Sequence, residues 1–116
     1  MNLIRLQHDQ HPRPPHHELR QKRVLDSGYQ SIGQVENLYV DEDMELHFVD
    51  MAKSGLMGLG TKHHLVPVEA IVSEDAGSIT LALDQQAVES APAYTNPHAE
   101  LDEELQRATL EHYLHS

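Results

Sequence analysis

The run Ser31 to Asp41 (SIGQVENLYVD) constrains this chain more than any other stretch. Its apolar residues fall at 32, 35, 38 and 40, so the two-residue period of a strand fails once, between Val35 and Leu38. One extra residue in a strand flips the facing of everything after it, which is what a β-bulge does. The bulge is placed near Glu36-Asn37.

The flanking segments read as further short strands with turn chemistry between them. Val24-Leu25 is followed by Asp26-Ser27-Gly28, a strand and a turn. Asp41-Glu42-Asp43 turns the chain into Met44 to Met51 (MELHFVDM), where Leu46 and Phe48 are expected on one face and Glu45 and His47 on the other. Met51 to Thr61 (MAKSGLMGLGT) is a glycine-rich loop whose tip carries Leu56, Met57 and Leu59. Lys62 to Val68 resumes a strand that Pro67 confines to an edge or an end, because proline has no N–H to donate to the ladder. Ser78 to Leu83 alternates Ile79, Leu81 and Leu83 inward with Thr80 and Ala82 outward. The expectation is a mainly β domain, a small closed or partly closed barrel of five to six short strands. Two helices follow, a short one capped by Asp84 and ended by Pro92, and a C-terminal one from Asn96-Pro97 to about Leu114. On the second, Leu101, Leu105 and Ala108 share one side, and Leu110 and Leu114 lie roughly opposite.

Charge divides the chain. Residues 1–23 hold five bases (Arg5, Arg13, Arg20, Lys22, Arg23) against Asp9 and Glu18, or +3, whereas the remaining residues hold 3 bases against 17 acids, or −14. The resulting division is a basic His-rich arm at 1–23, a barrel at 24–94 and a C-terminal helix at 95–116. The arm has little to bury, so it is expected to stay mobile and solvated, with folding back onto an acidic surface as the electrostatic alternative. A net charge of −11 argues against nucleic acid and anionic membranes as partners. Nothing approaches the length of a membrane span, which makes the cytoplasm the expected address. With no cysteine, thiol chemistry and disulfides are excluded, and one Phe, four Tyr and no Trp leave an aliphatic core.

Four short patterns then occur in order: Ser31-Ile32-Gly33-x-Val35, Asp41, Val66-Pro67 with Ala70-Ile71, and Ala91-Pro92-x-Tyr94. Together, over Val24 to Tyr94, they resemble the PRC-barrel family. Its members include the cytoplasmic barrel of the photosynthetic reaction-centre H subunit, the C-terminal domain of a ribosome-maturation factor, and small free-standing bacterial proteins. The chain lacks a membrane helix like that of the first, and 23 residues cannot contain the N-terminal β domain of the second. The resemblance is thus to the free-standing class. It implies a PRC-type barrel acting as a protein-interaction scaffold, with no catalytic residue and no cofactor.

The chemistry-bearing residues support a second, different reading. Ten histidines stand out, and His8, His11, His16 and His17 in the arm could ligate Zn²⁺, Ni²⁺ or Cu²⁺ if the arm wrapped an ion, making the protein a metal- or ligand-binding stress protein. No structural-zinc spacing is present among them. Adjacent His63 and His64 point to opposite faces of a strand and are expected to be hydrogen-bonded strand residues. Protonating all ten would move the charge from −11 to −1 near pH 6, as in a pH sensor. The run Asp41, Glu42, Asp43 and Glu45 lacks EF-hand spacing and reads as a solvated turn. No G-x-S-x-G, H-E-x-x-H or phosphate loop occurs, so no enzyme is expected. The leading expectation is a scaffold that pairs with itself, most simply as a two-fold homodimer, and also engages an unidentified protein. Its interface is assigned to Leu56, Met57 and Leu59 of the loop and Leu110, Tyr113 and Leu114 of the helix.

Overall fold

A computed structural model describes residues 1–16, 18–54 and 61–115. Its strands are β1 (Ile4–Arg5), β2 (Arg23–Leu25), β3 (Ser31–Val40), β4 (Leu46–Ser54), β5 (Thr61–Pro67), β6 (Ile71–Glu74), β7 (Ser78–Leu81) and β8 (Ala93–Tyr94). Helix α1 (Gln85–Glu89) precedes β8, and α2 (Glu103–Leu114) follows it. The strands form one eight-stranded sheet in the order β6-β7-β2-β3-β4-β5-β8, with β1 also paired to β3. The fold is therefore mainly β with two helices. It has eight strands rather than five to six, the additions including the two-residue β1 and β8, and among the described residues no ladder joins β6 to β8.

Two bulges set the facing of the central hairpin. Val35 pairs with Met51 and Asn37 with Asp50, leaving Glu36 as the extra residue where the parity slip placed it. A second irregularity was not expected. Tyr39 pairs with Phe48 and Val40 with Leu46, which leaves His47 unmatched and puts Leu46 and Phe48 on opposite faces. Leu46 packs with Leu38, Val40 and Val49, while Phe48 packs with Leu3, Tyr39, Leu65 and Leu101. Gly33 lies where β3 meets β4 closely, since a Cβ there would come within 2.8 Å of the Ala52 carbonyl oxygen. Pro67 is the last residue of β5, as its missing donor requires.

The N-terminal segment is packed rather than free. Leu3, Leu6 and Leu19 are buried, and each such leucine contributes roughly 2 kcal/mol against the entropy of ordering the segment. Arg20 ties its two halves together by donating to the Gln7 and Gln10 carbonyls at 2.9 and 2.5 Å, while pairing with Glu18. Lys22 Nζ donates to the Asp75 carbonyl at 2.6 Å and His16 Nδ1 meets Glu74 Oε2 at 3.1 Å, so the basic segment does lie on the acidic body.

Helix α2 starts at Glu103, capped by Asp102 accepting from Glu104 N–H at 3.0 Å, and not at Asn96-Pro97. The reason lies upstream. Arg5 N–H donates to the Ala99 carbonyl and Leu101 N–H to the Leu3 carbonyl, which holds this stretch extended beside β1. No helix among the described residues is long and apolar enough to cross a membrane.

Candidate functional site

Two places in the fold gather chemistry. The first is a buried polar cluster on the face of the sheet that carries Phe48. Asn37 on β3, Asp50 on β4, His63 on β5 and Tyr94 on β8 sit on four neighbouring elements, brought together by the pairs Asn37↔Asp50 and His63↔Tyr94. Asp50 is fully buried and accepts from Asn37 Nδ2 at 2.7 Å, His63 Nδ1 at 2.9 Å and Tyr94 OH at 2.5 Å. The His63 and Tyr94 rings stack at 5.5 Å. Burial, reinforced by the Asp50 charge and hydrogen bond, drives the Tyr94 phenol far above its ordinary range, so it acts as a donor. Burial likewise pushes Tyr39 up to about 12, and its OH donates to the His98 carbonyl at 2.8 Å.

An Asp–His pair orients a base in hydrolases, where the imidazole's far nitrogen meets a nucleophile. Here the described residues supply no Ser or Thr hydroxyl hydrogen-bonded to His63. The cluster instead gathers three donors on the Asp50 carboxylate and so clasps β3, β4, β5 and β8. His64, on the opposite face, is also buried, and its Nδ1 has no hydrogen-bond partner among the described residues. Desolvation lowers its pKa, partly opposed by the Ala91 and Pro92 backbone.

The second place is a groove of about 870 Å³ beside α2. Leu3, Phe48, Leu110 and Leu114 give it an apolar lining, and Glu69, Asp102, Glu103, Glu104 and Glu111 surround them. The buried side of α2 is the expected one only in part, since Leu101 and Leu105 do pack against the sheet. Ala108 is exposed, whereas Gln106 and Thr109 are buried and Leu105 packs against the Phe48 cluster. Gln106 lies inside because its Nε2 donates to the carbonyls of Met1 at 2.8 Å and Leu101 at 3.2 Å. Polar residues thus hold the docked face, which apolar spacing could not reveal.

The residues assigned to an interface separate accordingly. Leu110 and Leu114 are exposed, at 50% and 79%, and share a stripe one helical turn apart. Tyr113 is half-buried and donates to the Leu65 carbonyl at 3.2 Å, so it belongs to the docked side and is withdrawn from the interface. Leu56, Met57 and Leu59 lie outside the described residues.

The arm histidines among the described residues are not gathered. His8 is exposed, His11 faces Glu18 at 3.4 Å, His16 faces Glu74, and His17 lies outside the described residues. Among the described residues, metal-ligating atoms converge only at Asp41, Glu45 and His47. Asp41 is already occupied: Oδ1 accepts from the Asp43 and Glu45 amides at 2.9 and 3.1 Å, and Oδ2 meets His47 Nε2 at 2.9 Å. The His47 hydrogen bond leads the causes that hold the Asp41 carboxyl below its ordinary value. This is the chemistry of a self-capped hairpin turn.

Sequence reasoning passed over Asp50 and Asn37. The available signal was Asp50 itself, a carboxylate between Val49 and Met51 in a strand that otherwise reads as core.

No family model matches the chain, and no curated protein matches it.

Proposed function

We propose that the protein is a non-enzymatic interaction module of the PRC-barrel type, and that it presents the outward stripe of α2 to another polypeptide. One observation carries this reading: Leu110 and Leu114 are exposed together at the edge of the groove beside α2, on a helix whose other side is already docked. An exposed apolar stripe on a fixed helix loses area to water until something covers it. The polar cluster around Asp50 supports the non-catalytic part, since the Asp50 carboxylate is engaged by Asn37, His63 and Tyr94 together. Two-fold pairing through Leu110 and Leu114 is the simplest contact by symmetry, and the like charge of two copies opposes it.

The test is photo-crosslinking in cells with benzoylphenylalanine replacing Leu110 or Leu114, and replacing exposed Gln30 as the control. Covalent products with a polypeptide from 110 and 114 but not from 30 are expected. Absence of product from both helix positions would refute the assignment.

A further inference from the structure

The groove beside α2 has a charge pattern that selects among polypeptides. Its apolar lining of Leu3, Phe48, Leu110 and Leu114 is bordered by five carboxylates, Glu69, Asp102, Glu103, Glu104 and Glu111. Arg107 is the one Lys or Arg in that lining, bonded to Glu104 and 3.7 Å from Glu111 Oε1, and the Met1 ammonium, also in the lining, lies 3.5 Å from Glu103 Oε1, so both cations are engaged and the acids outnumber them. Asp102, Glu103 and Glu104 also serve α2 at its own N-terminus. Glu69 comes from the first turn of the short 3-10 helix Val68–Ala70 and Glu111 from the last turns of α2, so neither meets the dipole of the α2 N-terminus. The acidic border therefore extends beyond the N-terminus of α2.

Resting on the proposed interaction surface, we infer that the occupant is a basic amphipathic helical segment of another protein, with leucine-sized residues on one face and Lys or Arg flanking them. Leu110 and Leu114, at i and i+4, form half of a helix-in-groove contact, and the acids stand where the flanking cations of such a segment would lie. A second copy of this chain fits less well. It carries a net charge of −11, and a two-fold contact here would set the same five carboxylates against their counterparts.

The probe is a synthetic amphipathic helix of about 14 residues made of leucine and lysine at helical period. Its controls are a scrambled peptide of the same composition and a version with glutamate for lysine. Titration calorimetry on the full chain is expected to give a Kd on the order of 10 µM for the periodic lysine peptide, at least about tenfold weaker binding for the scramble, and none for the glutamate version. The double variant Leu110→Glu/Leu114→Glu separates the two sources of affinity by sign. It makes the surface more acidic, so attraction by charge alone would tighten, whereas seating on the leucines would weaken at least about tenfold. Equal binding of the scramble, tighter binding by the double variant, or no binding of the periodic peptide overturns the inference. Light scattering on the same samples keeps the two readings apart. A dimer dissolved by the double variant names a second copy as the occupant, which removes the basic helix and leaves the interaction surface standing. Loss of peptide binding, of dimer and of crosslinks together removes both.

Discussion

The two faces of the central hairpin hold the sheet by different means. On one, Leu38, Val40, Leu46, Val49 and Met51 form an aliphatic core. On the other, Tyr39, Phe48 and Leu65 share the space with Asn37, Asp50, His63 and Tyr94. The aliphatic face is specified by volume and tolerates approximate answers, because any well-filled apolar packing recovers most of the burial. The polar face is specified by pairing, and a missing partner leaves buried groups with nothing to bond. Asp50→Ala should thus be the most damaging single change, costing about 4 kcal/mol, since it removes the fully buried carboxylate on which three donors converge. Leu38→Ala, on the aliphatic face, should cost about 3 kcal/mol through lost burial and a cavity. Urea unfolding of both variants checks the ranking. In an Asn37→Ala background the Asp50→Ala cost should shrink by about 1 kcal/mol, and strict additivity would show that the cluster is not a coupled unit.

This contrast also explains how much of the molecule was legible beforehand. Aliphatic periodicity located β3, the bulge at Glu36 and the inward residues Ile79 and Leu81, because burial of apolar groups repeats at the period of the backbone, and the missing N–H of Pro67 located the end of β5. It missed whatever depends on a partner far away in sequence. The bulge at His47 leaves no mark that period counting can detect, as both Leu46 and Phe48 are buried and alternate correctly as letters. The N-terminal segment looked unable to fold because its three leucines are spread over 17 residues, yet each one fills a place that other elements prepare. On α2, Leu110 and Leu114 were read correctly as a second side, while Gln106 and Thr109 displaced Ala108 from the first. Of the groove acids, Asp102, Glu103, Glu104 and Glu111 belong to α2 and its cap, and the fold brings Glu69 to them.

A titration sharpens the comparison of faces through adjacent His63 and His64. His63 donates to Asp50, whereas buried His64 has an unpartnered Nδ1 among the described residues and a pKa lowered mainly by desolvation. Above its ordinary value of 6.5, His64 is neutral in the folded and the unfolded chain and contributes no slope. Below 6.5 the unfolded chain takes up a proton that the folded chain resists, so stability falls on acidification until the folded-state value is reached. The limiting slope is about 1.4 kcal/mol per pH unit. His64→Leu should flatten the stability profile between pH 6.5 and 5 relative to the wild type. The carboxylates with lowered values, Glu18, Asp41, Asp75 and Glu89, start from 4.5 or 3.8 and lose their contribution in a more acidic window, so the two effects separate. Identical slopes for wild type and variant above pH 5 would falsify the assignment to His64.

The smallest effects belong to α2, where the same question of packing against pairing recurs within one helix. Tyr113→Phe removes a single hydrogen bond to the Leu65 carbonyl and keeps the ring's burial, so it should cost about 1 kcal/mol. Leu110→Gln on the outward stripe changes a residue that is half exposed and outside both apolar clusters, and replaces one good helix former by another, so unfolding should shift by less than about 0.5 kcal/mol. Thermal unfolding of the two variants at matched pH orders them. If Leu110→Gln proved the more destabilising, the outward stripe would be part of the fold's own packing, and a leucine that stabilises its own domain has no need of a partner to explain its place. If the order holds, the chain keeps at position 110 an apolar side chain that its folding does not use. That is the expected signature of a contact made with something else.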